Sequence, residues 1–307
     1  MDRRQFMLAG AAAMAATAPL VRAQPAGGAQ GDAAAEPFKM LYGPHLGLFD
    51  NLAGRDPVAQ IDFMADQGFR AFEDNGMPGR PVDQQEAIAR ALQRRGMTMG
   101  VFVAYAEFNQ PTLVLANDDV RNMILNQIRA GIEVAKRVNA KWMTVVPGAI
   151  DRRTPFGYQT ANVIDHLKAC AELLESENLT IVLEPLNPRD HPGCFLTRID
   201  QAFEICRAVG SPSVKILDDL YHQQITEGDL IRNLDAAWDE IAYIQVGDNP
   251  GRNEPTTGEI NYRNIFRHLH RKGYQGVIGM EHGLSQHSRE GELALIRAYR
   301  ECDDFEV

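Results

Sequence analysis

The chain has 307 residues, 45% of them hydrophobic and 23% charged, with a formal net charge of −10. This is an ordinary globular composition with enough apolar material for one sizeable core. The acidic balance argues against nucleic acid or an anionic membrane surface as a partner.

In chain order, the first segment reads as an export signal. "MDRRQFMLAGAAAMAATAPLVRAQ" has a basic start, a short apolar stretch rich in Ala and Gly, and a small-residue end at Val21-Arg22-Ala23. Arg3-Arg4 followed by Gln5-Phe6 fits the twin-arginine pattern. The apolar stretch falls short of the roughly 20 strongly apolar residues that a membrane span needs. Residues 1–23 are therefore expected to be cleaved, residues 24–38 to be a Gly/Ala/Pro linker, and residues 39–307 to fold. Export by this route would place the mature protein in the periplasm, free of the membrane. It would also allow a cofactor to be loaded before export.

From Lys39 onward, short runs rich in Val, Ile and Phe alternate with longer segments of helical period. Strands are predicted near 39–47, 69–74, 98–105, 141–148, 179–185, 214–219, 241–248 and 276–282, each followed by a helical segment. Gly68, Gly96, Gly210 and Gly273 stand where left-handed helix caps are expected. Eight βα units in this length predict an α/β fold, a single (β/α)8 TIM barrel. The competing arrangement, a doubly wound open sheet, would expect G-x-G-x-x-G after the first strand, and that motif is absent. Cys170, Cys194, Cys206 and Cys302 lack C-x-x-C spacing. Free buried thiols are the expectation, although an oxidising compartment would permit a disulfide.

Barrel active sites are built at the C-terminal ends of the strands. The fifth strand stops at Glu184, followed by Pro185; the sixth ends in Asp218-Asp219; the seventh carries Gln245 inside "IQVGD"; and the eighth ends at Glu281. Four consecutive strands thus bring oxygen ligands to one arc of the mouth. Three converging carboxylates would repel one another and take up protons unless a cation joined them. An all-oxygen set suits a hard divalent metal ion, Mg²⁺ or Mn²⁺, better than zinc. Strand alternation alone does not choose between Asp218 and Asp219. His222, three residues after Asp219, is a candidate for a substrate oxygen or the metal shell. His191 and Arg189 follow Glu184 on its loop and are candidates for substrate binding. His45 and Glu73 are pocket candidates only, while His166, His268 and His270 are expected at the surface of helices.

"LEPLNPRDHPG", "DLYHQQITEGDL", "IQVGDNPGRNEPTTGEINY" and "GYQGVIGMEH" together resemble the hydroxypyruvate isomerase family, a branch of the xylose isomerase-like barrels that also include ketose 3-epimerases and apurinic endonucleases. The resemblance is nearly continuous from about Leu179 to His282. It implies that Glu184, Asp219, Gln245 and Glu281 bind the metal, and it selects Asp219 over Asp218. It further implies that Glu184 and Glu281 move the proton, that Arg252 meets a substrate oxygen, and that Glu254 orients the arginine or the histidine. Glutamine at 245, where ketose epimerases carry histidine, points to the isomerase branch. The expected reaction moves a carbonyl between adjacent carbons of a small hydroxy-carbonyl compound or sugar through an enediolate. Epimerisation of a sugar or β-elimination from a keto-sugar would use the same proton abstraction. A barrel that binds carbohydrate without turnover is the alternative of another class. Relatives of this kind are often homo-oligomers.

Overall fold

The computed structural model describes residues 35–306; the export-signal reading at 1–23 and the linker up to residue 34 lie outside the described residues. The last linker residues pack on the folded body. Ala35 N–H donates to the Asp66 carbonyl at 2.8 Å, and Phe38 is buried beneath the Arg300 guanidinium.

The strands are β1 (Leu41–Gly43), β2 (Ala71–Phe72), β3 (Thr98–Met99), β4 (Phe102–Glu107), β5 (Trp142–Pro147), β6 (Thr180–Leu183), β7 (Val214–Asp219), β8 (Ile241–Gln245) and β9 (Val277–Gly279). The helices are α1 (Asp50–Ala53), α2 (Pro57–Asp66), α3 (Val82–Arg95), α4 (Asp118–Val138), α5 (Phe156–Leu174), α6 (Ile199–Val209), α7 (Leu220–Thr226), α8 (Leu230–Ala237), α9 (Tyr262–Arg271) and α10 (Arg289–Asp303). Seven strands form one parallel sheet in the order β1-β9-β8-β7-β6-β5-β4, and β2 pairs with β3. Single backbone bonds join the two pieces. Glu73 N–H donates to the Pro44 carbonyl at 3.1 Å, and Val103 N–H donates to the Asn75 carbonyl at 3.2 Å. The ring is the expected (β/α)8 barrel.

The third barrel strand differs from the expected continuous run. It is broken at Gly100-Val101 into β3 and β4. The cause lies across the barrel, where the Tyr243 hydroxyl enters the break and accepts the Val101 N–H at 3.2 Å. A Cβ at position 100 would meet that hydroxyl at 2.3 Å, so only glycine allows the approach.

Local signals account for the helix ends. Asp56, Asn117 and Ser288 cap α2, α4 and α10 through side-chain oxygens. Gly68, Gly96, Gly210 and Gly273 all have positive φ, as expected of left-handed caps. Most apolar residues pack between helices and strands, and a second cluster drawn from the strands and the break at Val101 (Ala71, Val101, Val182, Leu217, Tyr243, Val277) fills the barrel interior. Because strand side chains alternate, the residues two positions further on share that inward side. These include Glu73, Glu184, Asp219, Gln245 and Gly279. The apolar layer is therefore the floor of the site. Alternation does in fact separate Asp219 from Asp218, once Leu217 is known to point inward.

All four cysteines are free and buried. His166, expected at the surface, is instead buried, with Nε2 2.9 Å from the Leu115 carbonyl. His268 pairs with Asp235. No helix among the described residues is long and apolar enough to cross a membrane.

Candidate active site

Glu184 follows β6, Asp219 ends β7, Gln245 ends β8 and Glu281 lies two residues past β9. Asp219 and Gln245 are register partners, as are Gln245 and Gly279, so the strand ends stand side by side at one level. Glu184, Asp219 and Gln245 are buried, whereas Glu281 is half-buried. One ligand atom each from Glu184, Asp219 and His222 fall within 4.8 Å of one another.

Arg252 provides the positive charge in this cluster. Its Nη2 donates to Asp219 Oδ2 at 2.8 Å and to Glu281 Oε2 at 2.6 Å, while Nε donates to the Glu281 carbonyl at 3.1 Å. The guanidinium also lies over the Tyr221 ring, 4.9 Å from its centre. Arg252 itself has a positive φ of 50° in the turn after β8. Burial pulls its pKa down, but the carboxylates of Asp219, Glu281 and Glu184 outweigh burial and hold it above the usual arginine value.

Asp219 uses both oxygens. Oδ1 accepts the Tyr221 N–H at 2.9 Å and caps α7, which leaves Oδ2 to face the site. Glu281 Oε1 accepts from Asn75 Nδ2 at 2.8 Å. Among the described residues no hydrogen bond reaches the Glu184 carboxylate; His222 Nε2 stands 3.6 Å from it. Burial, then the charges of Glu281 and Asp219, push Glu184 well above the usual carboxylate range. Burial likewise raises Glu281 to about 7, with Arg252 opposing and Asp219 adding to the shift.

His222 is held by Asn187, whose backbone N–H (3.2 Å) and Nδ2 (2.6 Å) both point at Nδ1. Two donors on Nδ1 make that nitrogen the acceptor and put the ring proton on Nε2. Burial lowers the His222 pKa to about 4, so the ring is neutral near pH 7. Its Nε2–H points between Glu184 and Asp219, 3.6 Å from each. This tautomer is a donor, suited to a substrate oxygen rather than to the metal shell.

The remaining candidates fall into place unevenly. His191 stacks on Phe108 at 5.1 Å and lies 5.4 Å from His222, at the rim of the cluster. Arg189 is exposed and gives only its backbone N–H to Asn187 Oδ1, in an Asx turn; the structure does not bring its side chain into the cluster. Glu254 was expected to orient Arg252 or a histidine, and it does neither. Its buried carboxylate accepts the Ser285 N–H and hydroxyl and anchors the loop after β9. The Asp219 and Glu281 carboxylates take that orienting part instead. His45 meets the carbonyls of Leu46 and His282, and it lines a cavity of about 300 Å³ with Glu73, Asn75, Arg80 and Glu281.

Sequence reasoning missed Asn75, Asn187 and Tyr243, and it undervalued Glu73. Glu73 is buried between Tyr243 and Gln245, accepting the Tyr243 hydroxyl at 2.7 Å on Oε2 and the Gln245 Nε2 at 2.7 Å on Oε1. Among the described residues Gln245 Oε1 is buried without a partner. An orphaned amide oxygen beside three inward carboxylates fits a hard divalent cation, which takes carboxylate and amide oxygens together. The signals that could have found the network are Gly100 and Gly279. A Cβ at 279 would lie 1.8 Å from Glu73 Oε2.

Comparison with known proteins points the same way. Residues 61–302 match the family model of the xylose isomerase-like TIM barrel. Over 177 residues the chain is 33% identical to hydroxypyruvate isomerase of Escherichia coli, covering 56% of this chain and 67% of that one. Over 228 residues it is 31% identical to 2-oxo-tetronate isomerase of Cupriavidus necator, covering 73% and 72%. Among solved structures, 3-keto-D-glucoside 4-epimerase from Escherichia coli superposes with a TM-score of 0.71 at 18% identity, covering 86% of this chain and 99% of that one, a likeness of fold.

Proposed function

The chain belongs to the xylose isomerase-like TIM barrel family and is an isomerase, and we propose that it moves a carbonyl between adjacent carbons of a small hydroxy-carbonyl compound with a bound divalent metal ion. The supporting observation is the inward arc of Glu184, Asp219, Gln245 and Glu281, with Gln245 Oε1 left unpaired. These four residues would hold the ion, Mg²⁺ or Mn²⁺ by the hardness of the donor set. When bound, the cation offsets the negative charge that the two substrate oxygens gain on loss of the proton.

The protein groups carry the rest. Glu184 is the base, because its carboxylate is buried and among the described residues receives no hydrogen bond, which leaves an oxygen to take the proton. It removes the proton from the carbon bearing the hydroxyl. The C–H electron pair becomes the carbon–carbon double bond, and the carbonyl oxygen takes the charge. The same proton, or one from Glu281, returns to the former carbonyl carbon, while the hydroxyl proton passes to the former carbonyl oxygen, which becomes the new hydroxyl, and the oxygen that released it becomes the new carbonyl. No atoms are gained or lost overall. His222 Nε2–H donates to a substrate oxygen near Glu184, and Arg252 Nη1 is left for a second oxygen while Nη2 holds Asp219 and Glu281. His191 and Phe108 close the rim above them.

Purified protein incubated in D₂O with hydroxy-ketones, 2-oxo acids and ketoses tests this. Deuterium entering beside the carbonyl, together with formation of the carbonyl-shifted isomer, is expected with Mn²⁺ and is abolished by a chelator. Inversion at one carbon with the carbonyl unmoved would mark an epimerase. Absence of exchange in every compound with metal present would refute the proposal.

A further inference from the structure

We propose that Glu73 is a positioning residue that fixes the Gln245 side-chain amide with its oxygen facing the metal site and its nitrogen facing away. The inference rests on the metal reading above and concerns a residue that touches neither metal nor substrate.

A glutamine amide has two faces of opposite character, and a half-turn exchanges them. Only the oxygen can bind a cation, so a glutamine ligand needs something to choose the orientation. Here the choice can be followed bond by bond. Val101 N–H has only donor character, and it points at the Tyr243 oxygen at 3.2 Å. The Tyr243 hydroxyl proton is therefore directed elsewhere, to Glu73 Oε2 at 2.7 Å. Glu73 Oε1 then accepts the Gln245 NH₂ at 2.7 Å. Gln245 Oε1 remains, buried and without a partner, on the opposite end of the amide.

The fold makes room for this chain of bonds at three places. The break between β3 and β4 frees the Val101 N–H. Gly100 allows the Tyr243 hydroxyl to enter, since a Cβ would lie 2.3 Å from it. Gly279, the register partner of Gln245, leaves space for the Glu73 carboxylate, since a Cβ would lie 1.8 Å from Oε2. Tyr243 and Gln245 are two apart on β8, so both point inward and both meet Glu73. Groups behind a metal ligand typically tune affinity about 10- to 100-fold.

The test is Mn²⁺ affinity by titration calorimetry, on full-length folded protein with circular dichroism as the folding check. Glu73→Gln is expected to weaken binding about 10- to 100-fold. The exchanged pair, Glu73→Gln with Gln245→Glu, restores the complement, because the new amide at 73 donates to the new carboxylate at 245. It is expected to recover most of the loss. Gln245→Glu alone isolates the effect of the added carboxylate and is expected to bind Mn²⁺ more weakly than the exchanged pair, because two carboxylates then face each other across the 2.7 Å contact. Should Glu73→Gln fail to fold, Tyr243→Phe removes the brace on Oε2 and is expected to weaken Mn²⁺ about tenfold. Wild-type affinity in Glu73→Gln or in Tyr243→Phe, or an exchanged pair no better than Glu73→Gln alone, overturns the inference. A wild-type protein that takes up no Mn²⁺ overturns the metal reading, and this inference with it.

Discussion

Arg252 Nη2 lies 2.8 Å from Asp219 Oδ2, so a loop cation and a strand-end carboxylate meet inside the barrel mouth. The pair shares its charge with Glu281, 2.6 Å from the same nitrogen. Removing the cation leaves Asp219 buried beside two other carboxylates. Arg252→Gln is expected to cost the metal-free protein about 1–3 kcal/mol, below the full cost of breaking a buried pair because the arginine is partly exposed. Bound Mn²⁺ replaces the lost charge, so the loss shrinks when the metal is present. Urea unfolding with and without Mn²⁺ measures both. An equal loss in the two conditions would mean that the cation and Arg252 do not serve the same carboxylates.

Glu184→Gln keeps an oxygen for the cation but cannot take a proton. Turnover at saturating Mn²⁺ is expected to fall about 10²- to 10⁴-fold, the usual worth of a positioned base. Metal analysis of the same sample separates this loss from loss of the ion. Activity within about tenfold of wild type with metal bound would remove Glu184 as the base.

The pH dependence has a definite sign. Glu281 moves from an ordinary 4.5 in the unfolded chain to about 7 in the fold. Between those values the native state binds more protons than the unfolded state. Stability of the metal-free protein therefore falls as pH rises from about 4.5 through about 7. Metal binding requires the ionised carboxylate, so stabilisation by Mn²⁺ grows in the same direction. Melting temperature with Mn²⁺, minus that with a chelator, should widen across this range. A difference that narrowed with rising pH would contradict the ligand set.

Glu254 acts on a loop rather than on the chemistry. Glu254→Ala leaves the Ser285 N–H and hydroxyl without their acceptor and is expected to cost about 1–3 kcal/mol. Mn²⁺ affinity is expected to stay within about twofold, because a hydrogen-bonded loop anchor contributes to stability and not to the ion. Thermal melts and calorimetry on one preparation give both numbers. Weaker Mn²⁺ binding at unchanged stability would put Glu254 back in the site.

Much of the fold was legible in the chain because barrel elements announce themselves locally. The apolar runs, the helical period and the capping glycines each depend on a few neighbouring residues. Glu184, Gln245 and Glu281 stood out because a polar group at the end of an apolar strand contrasts with its own surroundings. The break at Gly100-Val101 left no such mark, since its cause is Tyr243, a residue from β8. Glu254 misled because the resemblance assigned it to the arginine or the histidine, whereas the turn carries it to Ser285. His166 misled because its helical position gave no sign of the Leu115 carbonyl above it.

The sequence by itself determined the succession of strands and helices and the residue types available for a metal and a proton. These follow from periodicity and from the chemistry of single side chains. Closure of the barrel decided the pairings: Arg252 with Asp219 and Glu281, Asn187 with His222, and Glu73 with Tyr243 and Gln245. Each joins segments that are local to neither, and a hydrogen bond is settled by distances of a few tenths of an ångström. The direction of the Gln245 amide is the clearest instance. Its two ends are alike in the sequence, and only the carboxylate brought across from β2 tells them apart.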